Sequence, residues 1–95
     1  MFTWLNKQGV QSDAGFLVQR TGRFTCEYRE GGRIVELEVE SGFLGDRPCI
    51  NIKRDVFARW TDAGVEAEIP EEQQVRMLQN FQAAMEFQGL TVAVY

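Results

Sequence analysis

The chain has 95 residues, a formal net charge of −4 and a sequence pI near 4.8. This length predicts one domain spanning residues 1–95, and a hydrophobic content of 44% is enough for a small core. Because the chain has no histidine, Ser-His and Cys-His catalytic pairs are excluded, and its acidic balance disfavours general binding to nucleic-acid phosphates.

The N-terminal region predicts one clear strand. The first ten residues have no regular pattern, although Phe2, Trp4 and Val10 are candidates for the core. The run SDAG at 12–15 is typical of a turn, and FLVQR at 16–20 predicts a strand. The start lacks the pattern of a signal peptide, and no apolar run approaches a membrane span. We therefore expect a cytoplasmic protein with reduced cysteines.

The next segment predicts a β-hairpin with strands at 23–30 and 33–40. Gly31 and Gly32 supply the two positive-φ residues that a two-residue turn requires. That turn fixes the register, and side chains alternate between the two faces of a strand. One face is therefore expected to be apolar, with these opposed pairs: Phe24 and Val39, Cys26 and Leu37, Tyr28 and Val35.

The other face of this hairpin is expected to be acidic. Its opposed pairs are Glu27 with Glu36, Thr25 with Glu38, and Arg23 with Glu40. Like charges directly opposite each other are destabilising, so the retained Glu27–Glu36 pair indicates a use for this charge, such as binding a basic partner. The alternative interpretation is that the acidic face serves only solubility.

The middle of the chain predicts four short segments: a loop at 41–48, a strand at 49–53, a short helix or turn at 54–60 and a loop at 61–69. Two glycines and a proline favour the first loop, in which Phe43 and Leu44 are either tucked under or exposed. Asp55 is the expected N-cap of the short helix.

The C-terminal third predicts a long helix from residue 70 to about 88, followed by a strand at 90–95. Pro70 suits the first helical position and Gly89 the end of the helix. The apolar stripe of this helix comprises Val75, Leu78, Phe81 and Met85, widened by Met77 and Ala84. The final strand has few polar residues, so we expect it in the middle of the sheet, buried on both faces.

The order of these elements is β-β-β-β-(short α)-α-β, which predicts an α+β fold. We expect an antiparallel sheet of about five strands, with the long helix packed on its apolar face. The opposite face of the sheet would then expose Glu27, Glu36 and Glu38.

A second acidic cluster lies between residues 62 and 72, and it consists of Asp62, Glu66, Glu68, Glu71 and Glu72. A helix N-terminus explains Glu71 and Glu72 but not the other glutamates. Trp60 beside them is either a core residue or an exposed partner contact. The candidate partner-binding residues are therefore Glu27, Glu36 and Glu38 first, and Trp60, Glu66 and Glu68 second.

The residue types indicate no catalytic, cofactor or metal site. Two cysteines are too few for a disulfide scaffold or a zinc site. Cys26 is expected to be a buried thiol, and Cys49 to lie on the other sheet face or at an edge. Glutamates on a strand point outward rather than around a cation, and no cleft for sugar chemistry is evident.

Several features together resemble a known family: EYREGGR in a hairpin, a short segment closing on Trp, a helix ending in FQG, and a terminal valine-rich strand. The matching residues are Tyr28, Gly31, Gly32, Arg33, Glu40, Trp60, Ile69, Asn80, Phe87, Gln88, Gly89 and Val92. Over residues 20–95 the chain resembles immunity protein family seventy-four of the bacterial polymorphic toxin systems. It has TDAG at 61–64 where that family often has a Pro-Pro-like stretch.

This resemblance implies a non-enzymatic cytoplasmic protein that binds and neutralises a cognate toxin, which is often a basic protein. It identifies no contact residues. Two alternatives remain: a structural or adaptor domain that forms a homodimer through a strand edge or the Phe43–Leu44 loop, and a small-ligand-binding domain. Neither a nucleic acid nor a membrane is an expected partner.

Overall fold

The computed structural model describes residues 1–62 and 67–95, and it has an α+β architecture built around a five-stranded antiparallel sheet. The strands of this sheet follow one another in chain order: β1 (Phe2–Asn6), β2 (Gly9–Ser12), β3 (Phe16–Arg20), β4 (Thr25–Glu30) and β5 (Arg33–Glu38). The predicted fold class is confirmed, and the N-terminal ten residues contribute one strand and part of another.

A second sheet has three strands in the order β10-β7-β6. They are β6 (Glu40–Leu44), β7 (Arg47–Ile52) and β10 (Thr91–Val94), of which β7 and β10 are parallel. A two-stranded ribbon joins β8 (Arg59–Trp60) to β9 (Ala67–Glu68). The helix α1 (Glu71–Phe87) covers the core, and no helix in the described ranges is long and apolar enough to cross a membrane.

The hairpin of β4 and β5 has the predicted register. Tyr28 lies opposite Val35, Cys26 opposite Leu37 and Glu27 opposite Glu36, and both turn glycines have positive φ, at 59° and 77°. The predicted pairing of Arg23 with Glu40 is wrong. The chain bends at the buried Val39 and starts the second sheet, in which Glu40 lies opposite Asn51.

Phe24 is also outside the predicted apolar face. Its carbonyl accepts the N–H of Val39 at 2.9 Å, but its side chain is 60% exposed because β4 begins only at the next residue. The guanidinium of Arg23 lies over its ring, 5.7 Å from the centroid.

The core lies between the five-stranded sheet and α1. Val10, Val18, Tyr28 and Val35 contribute from successive strands, and α1 contributes Met77, Phe81, Ala84 and Met85. Val75 is 53% exposed, so its prediction as part of the apolar stripe is wrong. The buried face of α1 is rotated away from Val75, because the second sheet and the ribbon also contribute to this core.

The N-terminal aromatic residues have different environments. Phe2 is partly buried and packs edge-on against Phe16, at 5.8 Å between ring centroids. Trp4 is exposed, although its ring lies 5.6 Å from that of Phe87 at the end of α1. Of the three candidates in this segment, Val10 alone is fully buried.

The predicted loop at 41–48 is wrong, because these residues form the hairpin of β6 and β7. Gly45, with φ of 64°, supports the tight turn of this hairpin. Pro48 has no N–H to donate to a neighbouring strand, and it precedes Cys49, the first residue of β7 that pairs with β10. Phe43 and Leu44 are exposed on this hairpin, 73% and 51% respectively.

Of the short helix or turn predicted at 54–60, the turn is confirmed and the helix is wrong. Hydrogen-bonded turns occupy 54–57, and β8 follows. Backbone groups of this segment are instead bonded to residues distant in the chain: the carbonyl of Ala58 accepts the N–H of Ile69, and the N–H of Thr61 donates to the carbonyl of Ile34 in β5. Tertiary pairing therefore overrides the local helical spacing.

The C-terminal elements agree with the prediction except in the position of the last strand. Pro70 is the N-cap of α1, and Gly89 follows the helix with φ of 82°. The strand β10 lies at an edge of the second sheet and is half-buried along its length, so the expected central position is wrong. It pairs with β7 on one side only, and this leaves its other edge uncovered by a strand of the described chain.

Candidate partner-binding surface

The acidic surface consists of Glu27, Glu36 and Glu38, which lie together on the face of the β4–β5 hairpin turned away from α1. Alternation along the two strands places them there, because Cys26, Tyr28, Val35 and Leu37 point into the core. Glu36 and Glu38 are exposed, and Glu27 is partly covered. The three first-choice candidates are therefore brought together as predicted.

The opposed Glu27–Glu36 pair is of the close type. The N–H of Glu36 donates to Thr61 Oγ1 at 2.6 Å and so points away from β4, which identifies a non-hydrogen-bonded pair with closely spaced side chains. Arg29 offsets part of the repulsion, because its Nε and Nη2 both donate to Glu27 Oε2, at 3.0 and 2.9 Å. The charge of Glu27 is thus compensated locally.

Glu36 and Glu38 are not compensated in this way. No lysine or arginine in the described ranges lies within ion-pair distance of either carboxylate. These two exposed carboxylates are available to a cationic group from another molecule.

The edge of β5 is held by the residues that follow β8. Asp62 accepts the N–H of Ile34 at 2.7 Å and the Nε of Arg33 at 2.8 Å. The hydrogen bond from the Ile34 N–H has the largest effect on the pKa of the Asp62 carboxyl. Together with the contacts from Arg33, it holds this pKa below its usual range. They fix β5 and thereby the direction of the Glu36 and Glu38 side chains.

A cleft of about 280 Å³ opens beside the other end of the β5 edge. Glu36, Glu38 and Glu40 lie along one side of it, and Lys53 and Tyr95 contribute to the rest. With three glutamates and one lysine among the lining residues, the charged side chains of the cleft sum to a negative charge. Among the described residues, no three histidine, cysteine, aspartate or glutamate side chains form a group that could hold a metal ion.

Trp60, from the second group of candidates, does not join this surface. Trp60 is buried in the core, and the Arg33 guanidinium lies over its ring at 5.1 Å from the centroid. Glu68 is exposed on β9 but lies opposite Arg59. Glu66 lies outside the described residues. The tryptophan is therefore a core residue, the first of the two interpretations offered for it.

A polar network connects the hairpin to α1 beneath the surface. Tyr28 donates its hydroxyl to Glu30 at 2.5 Å and accepts from Asn80 at 2.9 Å, while Arg76 donates to both oxygens of Glu30. Burial and the Glu30 carboxylate raise the pKa of the Tyr28 hydroxyl. These hydrogen bonds connect β4, which belongs to the hairpin with the acidic surface, to α1.

Both cysteines are buried and unbridged, as was expected for Cys26. Cys49 is buried on the face of β7 opposite to Ile50 and Ile52. Burial raises the pKa of the Cys26 thiol to about 11.

We expect neither cysteine of the native protein to react with a thiol reagent at pH 8, and both to react in urea. Rapid labelling of the folded protein would contradict this burial.

Sequence reasoning placed Glu40 on the acidic face without counting it among the candidate residues, and it missed Lys53 and Tyr95 of the cleft. Glu40 continues the period-two spacing of Glu36 and Glu38, so it was recognisable as a member of the row even though it belongs to β6. Lys53 and Tyr95 come from the ends of other segments and had no such signal, because only the tertiary structure brings them to β5.

No protein-family model matches this chain, and comparison with curated proteins and with solved structures finds no match either. The resemblance to an immunity-protein family stays a prediction on the residues named above.

Proposed function

We propose that this protein is a non-enzymatic binding protein that neutralises a basic bacterial toxin through its acidic surface, as an immunity protein does. The observation that carries the proposal is the pair of exposed, uncompensated carboxylates of Glu36 and Glu38 on a rigid hairpin. The cytoplasm is the compartment in which such a protein would meet its target.

The surroundings of these carboxylates support a protein partner. The adjacent Glu40 and the acidic cleft extend the negative potential along the β5 edge, and the Arg33–Asp62 contacts hold that edge in place. A preorganised strand surface loses little conformational freedom on binding. Complementary charge accelerates encounter with a basic surface and makes association sensitive to salt.

We expect the double variant Glu36→Lys/Glu38→Lys to lose the partner. In a pull-down from lysate of the native host, wild type should capture a basic protein at low salt and capture less at high salt. The double variant should bind that protein at least about tenfold more weakly, because it places two like charges against the partner.

The matched control is Asp46→Lys/Glu86→Lys, which changes the net charge equally at two exposed positions away from the acidic surface. It should capture the partner as wild type does. The captured protein, expressed alone, should arrest growth, and co-expression of wild type but not of the Glu36/Glu38 variant should restore it. Equal capture by both double variants would refute the assigned surface, and a captured protein without toxicity would refute the neutralising function.

A further inference from the structure

The strand β6 is unusually exposed for part of a sheet. It is one of the two edge strands of the second sheet, and four of its five residues are exposed to solvent, the half-buried Gly42 being the exception. Phe43 and Leu44 are among the exposed large apolar side chains of the protein. An open apolar edge of this kind is a template for pairing with another strand.

The backbone groups on this edge follow from the turn. The two-residue turn at Gly45 and Asp46 makes Leu44 and Arg47 a hydrogen-bonded pair, so the next pair, Phe43 and Pro48, is non-hydrogen-bonded. This agrees with the lack of an N–H on Pro48. The N–H and C=O groups of Phe43, and by the same alternation those of Ser41, therefore point away from β7. No strand in the described ranges covers them, and the Arg20 guanidinium donates to the Ser41 hydroxyl beside them at 2.7 Å.

We propose that β6 pairs antiparallel with β6 of a second copy of this chain, about a two-fold axis through Gly42. In this register Ser41 lies opposite Phe43 of the second copy, and the reverse also holds, so the two outward pairs form four main-chain hydrogen bonds. Gly42 faces its own counterpart in the close, non-hydrogen-bonded position. The two three-stranded sheets then become one six-stranded sheet.

The sequence of β6 is self-complementary in this register, which is why a second copy is the proposed occupant. Glu40 lies opposite Leu44 of the second copy, with Arg47 of that copy on the same face just beyond it, so opposite charges flank each leucine. The two Phe43 side chains are diagonal neighbours, about 7–8 Å apart and within reach of each other. A register centred on Phe43 would instead place Glu40 opposite Asp46.

This pairing shares Glu40 with the cleft but includes none of the three residues of the acidic surface. Its test variants leave Glu36 and Glu38 unchanged, so failure of the dimer and failure of partner binding are distinguishable. Sedimentation velocity over a range of protein concentrations tests the dimer, with Phe43→Glu as the disrupting variant. That variant replaces the aromatic contact with two carboxylates, one from each copy, that are diagonal neighbours on the same face of the joined sheet. The control is Phe24→Glu, which changes another exposed phenylalanine outside β6.

We expect wild type and Phe24→Glu to dimerise with similar dissociation constants, and Phe43→Glu to dimerise at least about tenfold more weakly. Wild type that stays monomeric throughout the micromolar range, or a dimer that Phe43→Glu does not weaken, would overturn the proposal.

A cysteine pair tests the register itself. Both cysteine variants also carry Cys49→Ser, because a Cβ added at residue 42 lies 3.6 Å from the free Cys49 Sγ. In Gly42→Cys the two introduced residues face each other at about 4.5 Å between Cα atoms, within disulfide range, and the added Cβ needs only a small shift of the Asn51 amide. In Ser41→Cys the two residues are offset along the strands to about 8–9 Å, which is too far. Oxidation should link the first variant into dimers and not the second. Equal linking of both would overturn the Gly42-centred register.

Discussion

Replacement of Phe81 by alanine should lower the free energy of unfolding by about 3–5 kcal/mol. Phe81 is fully buried on α1, and its ring packs edge-on against Phe57, 5.9 Å away between centroids. Phe57 in turn contacts Tyr28, which stacks on Phe16, so the chain of rings spans the core from helix to sheet. Urea unfolding followed by tryptophan fluorescence measures the change.

The control for this prediction is Val75→Ala on the same helix. Val75 is exposed, so its replacement should change the free energy of unfolding by no more than about 0.5 kcal/mol, with a small gain expected from the higher helix propensity of alanine. Since the total stability of small domains is about 5–15 kcal/mol, the two outcomes are easily separated. A cost for Val75→Ala as large as that for Phe81→Ala would show that α1 buries a different face.

The variant Glu30→Gln should be destabilised by about 1–2 kcal/mol at pH 7. Glu30 is partly buried, and both of its oxygens accept hydrogen bonds from Arg76, at 3.0 and 2.7 Å. Glutamine keeps an acceptor for the Tyr28 hydroxyl but loses the charge that Arg76 pairs with. The expected cost is therefore that of a charge-assisted contact, reduced because Arg76 is half-exposed.

The difference between wild type and Glu30→Gln should shrink in acid. The Arg76 hydrogen bonds, followed by that from Tyr28, lower the pKa of the Glu30 carboxyl in the folded protein. A carboxyl with a lowered folded pKa contributes stability that is fully present above its unfolded pKa of about 4.3 and is lost as pH falls through the folded pKa. Urea unfolding at pH 7 and at successively lower pH measures this convergence.

Glu86→Gln provides the matched control, because it removes an exposed carboxylate from the same helix. It should stay within about 0.5 kcal/mol of wild type at each pH. If the cost of Glu30→Gln were constant from pH 7 down to pH 2, the Arg76 pair would not be its origin.

The two proposed interfaces divide the surface of the protein. The acidic surface lies on the β4–β5 hairpin, and the proposed dimer edge lies on β6, which begins only two residues after β5 ends. The bend at Val39 separates them by turning the chain from one sheet into the other. Two consecutive strands, β5 and β6, can therefore serve two proposed contacts: β5 carries the charged face for a basic partner, and β6 carries the apolar edge for a second copy.

The hairpin register and the helix limits could be predicted because local signals determine them. Gly31 and Gly32 specify a two-residue turn, and that turn alone places Glu27 against Glu36 and Cys26 against Leu37. Pro70 and Gly89 bracket the helix for equally local reasons of backbone geometry.

The errors arose where contacts distant in sequence decide the structure. The helical spacing at 54–60 yields to strand pairing, because the backbone groups near Ala58 and Thr61 find partners in β5 and at Ile69. Likewise, the apolar composition of β10 did not reveal that it pairs with β7 on one side only. Periodicity reports which residues prefer burial but not which distant segment covers them.

The sequence by itself determined the acidic face, since alternation along a strand follows from backbone geometry alone and requires no knowledge of the partner strands. Only the tertiary structure decided which charges on that face stay uncompensated: in the described ranges no cation from another segment pairs with Glu36 or Glu38, and Trp60 is buried in the core. Compensation and burial depend on distances in space, and those distances are set by the packing of segments far apart in the chain.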